Sequence, residues 1–191
     1  SYMWTSNYAY PVTTITGSVR REMLTIPEVI VVLVGHCESL KSRVAVIDMP
    51  KDLYKTKDLI DYRNMIDSTY AAMYHPWIQV YDSLNKKPAY IPPSGAVAGI
   101  YARSDVERGV HKAPANDVVY NAIGLEVLYN KAEQDILNPA GVNLIRALPG
   151  QGIRVWGART TSSNSLWKYV NVRRLFIYLE ESIKAETNWA V

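Results

Sequence analysis

With one cysteine, Cys37, among 191 residues, the chain cannot form an internal disulfide and has no cysteine set for zinc. In its apolar stretch that thiol is expected to serve as a small buried hydrophobe. Long hydrophobic runs are missing as well. The longest uninterrupted one, residues 29–35, falls far short of the roughly 20 residues that a membrane-crossing helix requires. No membrane insertion is therefore expected. Neither sign of charge dominates: 21 Lys and Arg stand against 18 Asp and Glu, a formal net charge of +3 that permits contact with acidic surfaces without demanding it. At 48% hydrophobic and 20% charged residues the chain is too apolar to remain disordered, and it is long enough to bury a sizeable core.

Catalytic signatures are equally scarce. There is no phosphate-binding P-loop, no Gly-x-Ser-x-Gly elbow, no His-Glu-x-x-His and no paired-cysteine motif. Gly150-Gln151-Gly152 begins like a dinucleotide loop, but Val155 stands where the third glycine belongs, so a tight hairpin turn is expected there. His36, His75 and His111 are too far apart in sequence to form a local metal motif, and His36, inside an apolar run, reads as a satisfied core residue. Ser94, His75 and Asp48 can be nominated as a Ser-His-Asp triple, although any chain of this length offers such combinations. Arg159, Trp167, Lys168, Tyr169, Arg173 and Arg174 interleave basic and aromatic side chains as a nucleic-acid surface does, yet solvated or subunit-facing arginines explain them more simply. No cofactor and no metal are expected.

Helix-start and helix-stop signals then divide the chain. The first 20 residues, rich in Tyr, Thr and Ser, show no helical period and read as loop or irregular strand. Pro27-Glu28 opens a helix through the β-branched run 29–34, followed by a buried strand over 43–48 that closes at Met49-Pro50. Leu59, Tyr62, Met65 and Ile66 carry the three-and-four spacing of a helix over 58–67. Strands are expected over 70–74 and 77–82, the latter turning at 83–87 into a hairpin with 88–91. Small residues at Gly95, Ala96, Ala98, Gly99 and Ala102 suggest a central helix over 95–103 that packs its backbone close to a neighbour. A loop over 109–116, irregular strand over 118–129, a short helix over 131–137 and a hairpin of 143–147 with 152–156 follow. The last helix, 172–186, is expected to start at an Asn171 N-cap. It should bury Val172, Leu175, Phe176, Leu179 and Ile183, with Glu180 and Lys184 paired outside.

Two blocks of residues carry a family likeness. The string from Pro88 through Pro92-Pro93-Ser94, the small-residue helix, Ala102-Arg103-Ser104-Asp105 and Lys112-Ala113-Pro114-Ala115-Asn116 resembles the central segment of contractile-tail sheath proteins. Gly152 to Thr160 with Trp156, then Trp167 to Phe176 with Asn171, Arg173 and Arg174, is similar to the region of the same family ahead of its long C-terminal helix. Gly35 to Glu38 and Val46 to Pro50 add a weaker third match.

The resemblance implies a mixed α/β (α+β) core, a sheet flanked by helices, with a topological likeness to subtilisin and no catalytic site. It divides the chain into a poorly matched leading segment (1–27), a sheath core domain (28–150) and a C-terminal sheath region (151–191). The absence of an initiator Met and the apolar ending at Asn188 to Val191 suggest a piece of a longer subunit. The implied role is structural: copies polymerise helically around a tail tube protein and contract to drive the tube through a target cell envelope. Baseplate and tail terminator proteins are further implied partners, and the implied location is the virion tail, assembled in the host bacterial cytoplasm. The charged segments 51–63 and 106–112 are candidate contact surfaces. A nucleic-acid-binding module and an α/β hydrolase are the alternatives from other classes. Pro92, Pro93, Ser94, Arg103, Asp105, Pro114, Asn116, Trp156, Asn171, Arg173 and Arg174 are the candidate positions, structural or inter-subunit in role.

Overall fold

The computed structural model describes residues 13–15 and 27–190. The elements run β1 (Thr13–Ile15), α1 (Pro27–Leu40), β2 (Arg43–Asp48), α2 (Thr56–Arg63), β3 (Ala71–His75), β4 (Ile78–Asp82) and β5 (Lys87–Ile91), then α3 (Ser94–Arg108), β6 (Asp117–Val118), β7 (Ala122–Leu125), α4 (Lys131–Leu137), β8 (Val142–Leu148), β9 (Gly152–Val155) and α5 (Val170–Thr187). A six-stranded sheet has the order β1-β2-β3-β8-β9-β6, and a separate three-stranded sheet the order β5-β4-β7. In the larger sheet β1, β2, β3 and β8 are parallel, while β9 and β6 add on antiparallel. This is the mixed sheet flanked by helices that the sequence implied.

Burial explains the parallel centre. Crossover helices cover both faces of such strands, so their residues are buried and mostly apolar: β3 is buried at every position and β2 from Val44 to Asp48. On one face α1, α2 and α4 contribute Ile30, Val34, Cys37, Leu59 and Leu137 to a core with Ile47 and Met73. On the other, α3 and the smaller sheet contribute Val97, Ile100, Tyr101 and Ile78 to a core with Val46, Ala72 and Tyr74. Cys37 is fully buried, and loss of water pushes its thiol pKa up to about 11 despite the nearby Arg43. It is the small hydrophobe expected.

Most elements stand where the sequence put them: α1, β2, the β4–β5 hairpin, α4 and the β8–β9 hairpin. The turn at Gly150 to Gly152 holds both glycines at positive φ, 72° and 77°, which accounts for their presence without any ligand. The 150/151 boundary lies inside that hairpin, whose two strands share one sheet. Helix α2 starts and ends earlier than its spacing suggested, and Met65 lies beyond it, exposed. The reading of the first 20 residues falls outside the described residues apart from the strand β1.

Three expectations are corrected. His36 is exposed, not in the core, and shares a 3.3 Å hydrogen bond with Arg43 Nη1. Helix α3 turns Gly95 and Gly99 outward, with nothing within 4 Å of where a Cβ would sit, so its glycines are not there for close packing. In α5 the N-cap position is Tyr169, and Asn171 lies in the first turn. The buried face of α5 is Val170, Arg173, Arg174 and Ile177, whereas Phe176, Leu179 and Ile183 are exposed. Lys184 pairs with Glu181 at 2.7 Å, one position from the partner expected.

Candidate functional site

The two motif blocks meet each other inside the fold. Helix α3 begins at the C-terminal end of β2 and carries Asp105 near its own C-terminus, and there α5 delivers Arg174. The guanidinium grips the carboxylate with both Nη groups, Nη1 to Oδ1 at 2.9 Å and Nη2 to Oδ2 closer still. Arg174 is 1% exposed and also lies over the Tyr101 ring, 4.6 Å from its centroid. Tyr101 in turn shares a 2.7 Å hydrogen bond with Tyr74 of β3. A buried arginine needs groups that replace its lost hydration, because an uncompensated charge in this environment costs several kcal/mol, and here Asp105 supplies them. The ion pair therefore ties α5 to α3, and the tyrosine pair ties α3 to the sheet.

Its neighbour Arg173 is buried by another route. Its guanidinium is stacked 3.7 Å from the Trp167 ring centroid and 4.4 Å from that of Tyr70, and Nη1 donates to the Tyr70 hydroxyl at 3.2 Å. Trp167 meets Phe176 edge-on with ring centroids 4.9 Å apart. Cation–π contacts of this kind strengthen when water is excluded. The two arginines expected to be solvated or subunit-facing are thus engaged inside this fold.

The other candidate positions make similar internal ties. Asn171 Nδ2 donates to the His111 carbonyl at 3.0 Å, fastening α5 to the 109–116 loop. Asn116, at φ 62°, receives Arg154 Nη1 on its carbonyl at 2.7 Å and donates its own N–H to the Val155 carbonyl at 2.7 Å. Arg103 Nη2 donates to the Val118 carbonyl at 2.8 Å and covers the Tyr120 ring. Pro114, in that loop, is buried, and half-buried Trp156 donates its N–H to the Leu144 carbonyl at 2.7 Å. Pro92 is half-buried, and Pro93, which is buried, occupies the N-cap position of α3 without a side-chain cap.

At the start of α3 the cap comes from elsewhere in the chain. Asp48, fully buried at the end of β2, accepts Ser94 N–H at 2.7 Å on Oδ1 and Ser94 Oγ–H at 2.6 Å on Oδ2. Loss of water raises the Asp48 pKa to about 7, outweighing the two hydrogen bonds that lower it. Two members of the nominated triple are therefore in contact. The third is not, because strand side chains alternate between faces. Asp48 lies on the α3 face with Val46, while His75 lies on the opposite face with Met73, hydrogen-bonded through Nε2 to the Tyr129 hydroxyl at 2.8 Å. These three residues do not assemble a Ser-His-Asp relay.

Sequence reasoning missed Asn143. It is fully buried in β8, donates to the carbonyls of Met73 at 3.0 Å and Arg159 at 2.7 Å, and accepts Arg159 N–H at 2.7 Å. Gly157 lies so close that a Cβ there would stand 2.8 Å from Asn143 Oδ1. A lone amide amid Val142, Leu144 and Ile145 was the available signal. Among the described residues, no group of three or more His, Cys, Asp or Glu side chains is placed to hold a metal ion. Nor is any helix there long and apolar enough to cross a membrane.

Comparison with known proteins agrees with the motif strings. The family profile for the phage tail sheath protein central domain matches residues 23–161. The tail sheath protein of Salmonella phage ViI is 30% identical over 176 residues, covering 79% of this chain and 28% of the phage protein. Among solved structures, the sheath complex of the extracellular contractile injection system PVC in its contracted state superposes with a TM-score of 0.75 at 34% identity, over 87% of this chain and 46% of the other. A chain of the anti-feeding prophage baseplate gives 0.74 at 32% identity, over 86% and 42%. The chain spans less than half the length of each of these relatives.

Proposed function

Because this chain belongs to the phage tail sheath family, through that family's central domain, we propose that it is the core of a structural subunit in a contractile sheath. Copies of the subunit polymerise helically around a tail tube protein, and their rearrangement drives the tube through a target cell envelope. The observation that carries this reading is the use made of the motif residues. Asp105, Arg174, Arg173, Asn171 and Asn116 lock helices and loops of one subunit together, each engaged in a tie within the fold. A machine of this kind needs rigid bodies that move against one another between two packed arrangements, and these ties make one.

Repeated heterologous contacts that do not close generate the helix. The charged segments 51–63 and 106–112 are proposed as contact surfaces between subunits. Baseplate and tail terminator proteins are proposed as end partners, with assembly in the host bacterial cytoplasm and residence in the virion or injection particle. Catalysis plays no part in the proposal, which draws support from the separation of His75 and Ser94 on opposite faces of the sheet. The stacking of Arg173 on Trp167 and of Arg159 on Tyr169, 5.6 Å from the ring centroid, argues likewise against a nucleic-acid surface, since those groups are already engaged.

Sedimentation velocity of the full-length subunit across a concentration series, alone and with its tube protein, tests the proposal. Large species that grow with concentration or with added tube are expected. A monomer under every condition would overturn it.

A further inference from the structure

Two titratable side chains are sealed at adjacent strand ends with no opposite charge beside them among the described residues. Asp48 closes β2 and His75 closes β3, each is fully buried, and they face opposite sides of the sheet. Ser94 of α3 makes both hydrogen bonds to the carboxyl. The titratable groups around it are Tyr62 of α2, whose own pKa Asp48 helps to raise, and Tyr74, its register neighbour on β3, which is engaged with Tyr101. His75 meets the Tyr129 hydroxyl, which also donates to the Tyr54 carbonyl at 3.4 Å, and among the described residues its Nδ1 has no hydrogen-bond partner. The charged groups beyond Tyr129 are Glu126 and Glu133. Among the described residues, no cation acts on Asp48 and no anion on His75.

We propose that Asp48 and His75, each sealed in the sheet core, form an offsetting proton-linked pair that responds to mild acid in opposite directions. Burial disfavours charge on either group, so it acts in opposite directions on an acid and on a base. The Asp48 pKa rises from an ordinary 3.8 to about 7 in the fold. Between those values the folded chain holds a proton that the unfolded chain has lost, and stability falls as pH rises. The His75 pKa drops from an ordinary 6.5 to about 3. Between those values the unfolded chain holds the extra proton, and stability rises with pH. In the shared window, from about pH 4 to about pH 6.5, the two slopes are each worth about tenfold in the unfolding constant per pH unit and have opposite sign.

Both protonation states of Asp48 can keep the start of α3 in place. As a carboxylate it receives both Ser94 donors. As an acid it can donate to Ser94 Oγ while Oδ1 still receives the backbone N–H. The offset thus spares the anchor of α3, and it holds whatever this core assembles into.

Urea unfolding of this chain at about pH 5 and about pH 6, in wild type, Asp48→Asn, His75→Gln and the double variant, tests the pairing. Other ionisable groups contribute alike to all four, so the slopes are read relative to wild type. Asp48→Asn is expected to make stability climb with pH about tenfold more steeply per unit, and His75→Gln to make it fall by a similar factor. The double variant should return to the wild-type slope. Four parallel lines would overturn the proposal. Should a variant fail to fold, carbon NMR of the wild type reads the two groups directly. An Asp48 carboxyl carbon that titrates near neutrality and a His75 ring that stays neutral at pH 5 are expected, and ordinary titration of either would overturn it.

Discussion

Arginine is costly to bury, and the 1% exposure of Arg174 makes its partner decisive. Removing one member of a buried ion pair leaves the other charged and unsolvated, whereas replacing both with apolar side chains of similar volume is often nearly neutral. Arg174→Met is therefore expected to cost about 3–5 kcal/mol by urea unfolding, with much of that recovered in Arg174→Met combined with Asp105→Leu. Equal losses in the single and double variants would show that the guanidinium is held by packing and not by Asp105. At this scale little was legible in advance. The sequence showed Asp105 and Arg174 as motif positions, but their 69-residue separation hid the contact. Asn143 was hidden for a similar reason, since its partner Met73 lies 70 residues away.

Elements were easier to read than their orientations. Strand β2 and helix α4 coincide with the expected ranges because each has an apolar pattern bounded by clear signals, Met49-Pro50 for one and Asn138-Pro139 for the other. Helix α4 also starts with a capping box, in which Asn130 and Glu133 satisfy each other's backbone N–H groups. Helix α5 was located correctly but its inward face was not. Apolar periodicity assigns burial to Leu and Phe, and two arginines neutralised by an aspartate and by aromatic rings reverse that assignment. Helix α3 teaches the same point through Gly99, which lies outside in open space. Gly99→Ala is expected to stabilise the chain by about 1 kcal/mol, because alanine removes the backbone-entropy penalty of a helical glycine and meets nothing. A melting temperature raised by roughly 2–4 °C in a thermal scan would register it, and a lowered one would place that face against a neighbour.

For the whole molecule, the mixed sheet with helices on both faces follows from strands apolar enough to be covered twice and from helices between them. What positions the motif residues is the route of α5. It leaves one core at Val170 and reaches the other at Ile177, binding Asp105 and Tyr70 on the way. Both cores and the two motif blocks are thereby joined into one body, as the proposed rigid-body role of the subunit requires. Neither core alone announces this in the sequence, because the joining residues are charged and read as surface. Assembly itself is the most direct test. Negative-stain electron microscopy of the full-length subunit, expressed alone and with its tube protein, is expected to show long hollow cylinders or sheathed tubes. Dispersed single particles in both preparations would contradict the sheath role.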